Sequence, residues 1–214
     1  GGNNTLYAGS GNDLITVSGG TNTLATDSGD NTVVLYGGTN SVTAGAGNDT
    51  VTANGGFNTI TAGLGDNTLQ LNNGTNSVLA STGADTITAV NGVNTVDAGD
   101  GVDTILLSGG RNTVYAGADN DLITVSGGTN NIDAGAGTNT VVVMGGTNTV
   151  VTGDDINTLT LNAGSNTITA GTGNDVVTVT LGTNVINSGD GNDNLTLTGG
   201  NNTGAGSSAD VDGA

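Results

Sequence analysis

Residues 170–195 read Ala170-Gly171-Thr172-Gly173-Asn174-Asp175-Val176-Val177-Thr178-Val179, then Thr180-Leu181-Gly182-Thr183-Asn184-Val185-Ile186-Asn187, then Ser188-Gly189-Asp190-Gly191-Asn192-Asp193-Asn194-Leu195. Asp175, Asn184 and Asp193 are nine residues apart, and an aliphatic residue stands two places after each. Followed outward, the pattern holds throughout: Asp or Asn occupies every ninth position from Asn4 to Asn202. Through Leu195, the residue two places later is always Leu, Ile or Val, as at Leu6, Ile15, Leu24, Val33 and Val42. A composition rich in Gly and poor in charge would otherwise suggest disorder. A fixed register argues instead for a solenoid, in which each repeat buries its apolar side by stacking on its neighbours.

Each repeat reads as a strand. In Asn58-Thr59-Ile60-Thr61-Ala62 the apolar residues alternate with Thr over five positions, the mark of a half-buried strand. Four turn residues rich in Gly, Ser, Asn and Asp follow. Alternate turns differ: one kind runs Ala-Gly-x-Gly-x-Asp, as at Ala44 to Asp49, and the other Gly-Gly-Thr-Asn, as at Gly37 to Asn40. The coil therefore takes 18 residues. The expected fold is all-β, a parallel β-solenoid with two short strands and two turns per coil and about eleven coils, roughly 50 Å long at the usual strand spacing. Residues 1–201 form the repeat domain. The pattern fails at Gly204, where an aliphatic residue belongs, so 202–214 read as a C-terminal tail or junction. The opening in mid-pattern at Gly1-Gly2 suits a mature form or a segment of a longer chain.

Composition removes whole classes of function. The 19 acidic residues, all Asp, face one basic residue, Arg111, for a net charge of −18. Nucleic acid and anionic membrane surfaces call for the opposite sign. No apolar run approaches membrane-spanning length, so membrane insertion is not expected. His, Cys, Lys and Glu are absent. With every Asp repeating as scaffold, no differentiated acid, base or nucleophile remains, and the chain is read as no enzyme.

The Asx positions share the parity of the aliphatic ones and should point inward. Stacked Asn side chains would form a ladder, each satisfied bond contributing about 0.5–1.5 kcal/mol. The Asp residues segregate. Fifteen of the 19 fall on or just after the Ala-Gly-x-Gly-x-Asp edge, whereas the opposite edge carries Arg111 and no acid. Carboxylates stacked about 5 Å apart repel by roughly 0.8 kcal/mol per pair even in water. A cation bound to carboxylates and turn carbonyls would relieve this. An oxygen-only donor set favours Ca²⁺. A merely solvated acidic edge is the alternative.

The acidic turns resemble the repeats-in-toxin (RTX) nonapeptide, Gly-Gly-x-Gly-x-Asp-x-aliphatic-x, of calcium-binding β-rolls. The closest copies run from Gly9 through Gly11 to Asp13, Gly45 through Gly47 to Asp49, Gly99 through Gly101 to Asp103, Gly171 through Gly173 to Asp175, and Gly189 through Gly191 to Asp193. The resemblance implies Ca²⁺ held between coils by Asp13, Asp49, Asp85, Asp103, Asp121, Asp175 and Asp193 with the turns at Gly11, Gly47, Gly101, Gly173 and Gly191. It also implies type I secretion and an extracellular or cell-surface location. The chain departs from the motif where Ala replaces the first Gly, and where Asn replaces Asp along the whole second edge and at Asn31, Asn67, Asn139 and Asn157. The best sites are therefore expected at Asp85/Asp103, Asp103/Asp121 and Asp175/Asp193, with a gap near Asn139.

Two functional readings follow. In the first, the chain is a calcium-stiffened extracellular rod: a spacer, matrix or surface-layer component, or a filament subunit associating end to end or laterally. In the second, its regular face binds ice or carbohydrate. Outward hydroxyls flank the inward Asn at Thr21/Thr23, Thr39/Ser41, Thr75/Ser77, Thr147/Thr149 and Ser165/Thr167, interrupted at Phe57, Val93, Arg111, Asn131 and Val185. Thr is also an ordinary exposed strand former.

Overall fold

The structure, a computed structural model, describes residues 1–206. They form 21 parallel strands with no helix among them, and so no helix long and apolar enough to cross a membrane. From Asn3 to Asp133, and again from Val176 on, successive strands do not pair with each other. Each pairs with the strand 18 residues away: Thr21–Ala25 lies on Asn3–Tyr7 with Asn22 opposite Asn4, and Thr32–Tyr36 lies on Leu14–Ser18 with Val33 opposite Ile15. The expected parallel solenoid of about eleven turns is what forms. Strand pairing continues through Asn201–Gly206, where Asn202 lies opposite Asn184. Most of the expected tail, residues 207–214, lies outside the described residues.

Two sheets result, one carrying the strands that begin around Asn22, Asn40 and Asn58, the other those that begin around Asp49, Asn67 and Asp85. Alternation decides which side chains enter the gap between them. Leu24, Val42, Ile60 and Val78 line one sheet, and Val33, Val51, Leu69 and Ile87 the other, all buried. The second inward position is mostly Ala on the first sheet (Ala44, Ala62, Ala80, Ala98). On the second sheet it alternates in size as Leu35, Ala53, Leu71, Ala89 and Leu107, all fully buried. Where Thr26 and Thr152 replace Ala in the first sheet, each hydroxyl donates 2.7 Å to a carbonyl one coil on, of Ala44 and Ala170.

Backbone hydrogen bonding does not stop at the turns. Gly29 donates to Ala46 and Gly47 to Leu64, so the turns stack as regularly as the strands. At Thr140–Val151 and Thr158–Thr169 the two strands of a coil and their intervening turn merge into single 12-residue strands, with a register irregularity at Met144.

Candidate metal centre

The two edges treat their inward Asx residues differently. On the Gly-Gly-Thr-Asn edge, Asn4, Asn22, Asn40 and onward to Asn202 form one uninterrupted amide ladder. Each Nδ2 donates to the Oδ1 of the next coil at 2.6–2.8 Å. The same Nδ2 also donates to a carbonyl three residues earlier, as from Asn22 to Gly19 at 3.0 Å. This is the expected asparagine ladder, with both kinds of partner used at once.

On the acidic edge the chain leaves one sheet at Ala and enters the other at Asx through a glycine turn. In Ala44–Asp49, Gly45 and Gly47 both have positive φ, +108° and +132°. A Cβ at Gly47 would lie 2.4 Å from the carbonyl oxygen of Gly29 in the preceding coil, so the turns stack this closely only without side chains. The turn thereby gathers backbone carbonyls beside the Asx column.

That column runs Asp13, Asn31, Asp49, Asn67, Asp85, Asp103, Asp121, Asn139, Asn157, Asp175 and Asp193. From Asn31 on, every member is buried. From Asn31 on, every member also accepts, through Oδ1, the backbone N–H of the member before it at 2.7–3.0 Å. This shared bond fixes the side chain identically whether it is Asp or Asn. The second terminal atom then separates them. Asn31, Asn67, Asn139 and Asn157 each turn Nδ2 back onto the carbonyl two residues earlier, at 2.7, 2.9, 3.1 and 2.7 Å. In Asp13, Asp49, Asp85, Asp103, Asp121, Asp175 and Asp193 that atom is Oδ2, buried and with no hydrogen-bond partner among the described residues.

A buried carboxylate oxygen placed where an amide would donate to carbonyls faces the wrong charge. The electrostatics register this. Burial pushes the carboxyl groups of Asp49, Asp85 and Asp175 above the usual range, against the lowering effect of the donated backbone N–H. Asp103 is raised to about 7, chiefly by burial and further by Asp121, Asp85 and Asp119. Asp121 is raised to about 6 by burial and by Asp119. Both of these carboxyl groups stand in the run of consecutive Asp at 85, 103 and 121.

These donors suit a hard cation. The unpartnered carboxylate oxygens and crowded carbonyls are all oxygen, the set that Ca²⁺ takes with flexible geometry and that Mg²⁺, which retains water, uses less readily. No three acidic side chains converge on one point among the described residues, so backbone carbonyls must supply much of any coordination shell. Of the residues singled out from sequence, all seven Asp stand in this one column, and Gly11, Gly47, Gly101, Gly173 and Gly191 stand two residues before their respective Asp.

A further ladder on this edge escaped the sequence reading. On the exposed rim, Asn12 accepts the backbone N–H of Asp30 at 2.8 Å, Asp30 that of Asn48 at 2.8 Å, Asn48 that of Asp66 at 2.9 Å, and Asp66 that of Ala84 at 2.8 Å. It resumes from Asn120 to Thr138 and from Asn174 to Asn192. Its bonds run opposite to those of the inner column. The 18-residue recurrence of Asx at 12, 30, 48 and 66 was the available signal. The Asp residues among them thus have a structural partner already.

The Thr columns lie on the outer face of the Asn-edge sheet. Thr21, Thr23, Thr39, Thr75, Thr147, Thr149 and Thr167 are all exposed. Between the two columns runs a shallow groove from Thr21 to Thr95, bordered by the Asn ladder and by Phe57 and Val93.

No curated protein and no solved structure matches the chain. The RTX calcium-binding nonapeptide repeat, as a family described in four-copy units, matches residues 1–33, 36–69, 70–105, 107–141, 144–177 and 169–204. These spans cover nearly every coil, and they carry the column of buried, unpartnered Asp oxygens: the chain belongs to the RTX calcium-binding nonapeptide repeat family.

Proposed function

We propose that the protein is a calcium-stiffened rod that works outside the cell or at its surface, as a spacer, matrix or surface-layer component, or filament subunit, without catalytic activity. The observation that carries this reading is the set of seven buried Oδ2 atoms with no partner. Asp13, Asp49, Asp85, Asp103, Asp121, Asp175 and Asp193 would hold the ions, with the turns at Gly11, Gly47, Gly101, Gly173 and Gly191 supplying carbonyls. Bound calcium contributes positive charge between coils and so joins each turn to the next. The chain's own residues do the rest. The amide ladder fixes the opposite edge, the aliphatic columns exclude water, and the glycines bring the carbonyls close. Folding coupled to ion binding would keep such a rod loose where calcium is scarce and rigid where it is abundant.

Far-ultraviolet circular dichroism of the full chain in EDTA, followed by titration with Ca²⁺ and with Mg²⁺ as control, tests this. A β signal or a melting temperature that rises with Ca²⁺ well beyond the Mg²⁺ response is expected. An equally stable fold in EDTA and in Ca²⁺ would defeat the reading. Negative-stain imaging distinguishes filaments from single rods.

The groove between the Thr columns favours a second reading, binding of ice or carbohydrate along that face. Phe57, Val93 and Arg111 break the hydroxyl array, which is why it ranks second. A thermal-hysteresis assay and a glycan array decide it.

A further inference from the structure

The calcium reading treats the Asx column as one series of sites, yet the column holds two kinds of side chain in one geometry. Asp and Asn differ there by a single atom. The Oδ1 bond to the preceding coil is the same for both, and the turns do not sort them either. Asn67 follows Gly63 and Gly65 as Asp49 follows Gly45 and Gly47. Asn157 and Asp121 both have Asp two residues earlier, Asp155 and Asp119.

At the Asn coils the turn carbonyls are already engaged. Asn139 Nδ2 lies 3.2, 3.4 and 3.1 Å from the carbonyl oxygens of Ala134, Gly135 and Gly137. Asn157 Nδ2 reaches Gly153 at 3.2 Å and Asp155 at 2.7 Å. Asn67 Nδ2 reaches Gly63 at 3.4 Å and Gly65 at 2.9 Å. The amide thus presents its positive end to the oxygens that a cation would use, and it presents the same end to any approaching cation.

Resting on the calcium reading, we infer that Asn31, Asn67, Asn139 and Asn157 are built-in replacements for the ion, each closing its coil without divalent metal. The ion load is then confined to the Asp coils, with Asp13 and Asp49 standing singly and the runs Asp85–Asp103–Asp121 and Asp175–Asp193 forming two blocks. Asn139 and Asn157, adjacent in the column, form a metal-independent splint between those blocks. The substitutions that depart from the family motif are therefore a pattern written into the rod. They set where it stays closed when calcium is withdrawn.

The test uses the full chain, calcium titration calorimetry to count ions, and melting in EDTA. Asp103→Asn is expected to bind fewer ions and to melt at a higher temperature in EDTA than the parent. Asn139→Asp/Asn157→Asp is expected to melt lower in EDTA, to recover its circular dichroism and melting temperature at saturating Ca²⁺, and to bind more ions. A parent that takes up no Ca²⁺ sinks the proposed function and this inference with it. A parent that binds Ca²⁺, beside a double variant with an unchanged ion count or one that calcium does not restore, sinks the inference alone. So does a drop in the EDTA melting temperature of Asp103→Asn.

Discussion

Asn157 and Asp175 stand one coil apart in the same column, joined by a 2.7 Å hydrogen bond from the backbone N–H of Asn157 to Oδ1 of Asp175. Asn157 satisfies its second terminal atom on the carbonyls of Asp155 and Gly153, whereas Oδ2 of Asp175, equally buried, has no partner among the described residues. One edge of the rod therefore alternates between coils closed by the protein itself and coils that call for a charge from outside. The other edge, closed throughout by amides, calls for none.

This difference gives the metal-free chain an unusual pH dependence. The unfolded carboxyl titrates near 3.8, and in the fold Asp103 is raised to about 7 and Asp121 to about 6, chiefly by burial. Between these values the folded state binds more protons than the unfolded one, so stability falls as pH rises. The contribution is fully present below about pH 4 and lost by about pH 7. In calcium-free buffer the melting temperature should rise on acidification from pH 8 to pH 4, and Asp103→Asn should flatten the rise. With Ca²⁺ present the trend reverses, because the ion needs the deprotonated group. A metal-free melting temperature that drops over the same range would contradict the assignment of burial as the dominant effect.

The amide ladder should behave as a chain of equal links. Asn94 takes a bond from Asn76 at 2.7 Å and gives bonds to Asn112 at 2.8 Å and to Asn91 at 2.9 Å. Asn94→Ala removes all three and leaves buried amide and carbonyl groups of its neighbours unpaired, which costs about 1–3 kcal/mol for each unsatisfied group. A loss of about 2–4 kcal/mol in urea denaturation at saturating Ca²⁺ is expected. Calcium should not rescue it, since the ladder on this edge holds no unpartnered carboxylate; rescue would show that the two edges are not independent.

The closeness of turn stacking can be measured with two glycines. A Cβ at Gly63 would lie 1.8 Å from the carbonyl oxygen of Gly45, whereas a Cβ at Gly37 meets nothing within 4 Å. Both have positive φ, +99° and +63°. Gly37→Ala should cost only the left-handed backbone penalty, about 1–2 kcal/mol. Gly63→Ala forces the turn apart as well and should cost several kcal/mol more. Comparable melting temperatures for the two variants would mean that the turns are not stacked as described.

The period carried nearly all of the fold. An unbroken nine-residue Asx register fixes strand length, parity and coil size together, so the ladder at Asn22 and the inward Leu24 were legible before any coordinates. The rim ladder from Asn12 to Asp66 was not, because exposed Asx residues in Gly-rich turns look like ordinary turn formers until stacking brings each beside the next backbone N–H. Nor was the distinction within the acidic column. Sequence shows that Asn139 is not Asp. Only the geometry shows that its amide occupies the place where Asp103 leaves an oxygen unpartnered. Merging of strands at Thr140–Val151 also lay beyond sequence, since Met144-Gly145-Gly146 reads like the Gly-Gly turns at Gly37-Gly38 and Gly127-Gly128 on the same edge.

The alternation of Leu35, Ala53, Leu71, Ala89 and Leu107 makes the core separately testable. In register, Leu71 lies between Ala53 on one neighbour and Ala89 on the other. Leu71→Ala would leave three alanines in a row, and the backbone ladders on either side keep the coils from collapsing to fill the space. A cost at the upper end of the usual range for buried leucine, about 3–5 kcal/mol, is therefore expected. The double variant Leu71→Ala/Ala89→Leu keeps the total volume and moves it one coil along, beside Leu107. It should recover part of the loss and remain below the parent, because two leucines then adjoin where one had alternated with alanine. Urea denaturation at saturating Ca²⁺ reads both values. Full recovery would mean that only volume matters in this core; no recovery would mean that each coil is packed against a partner specific to it.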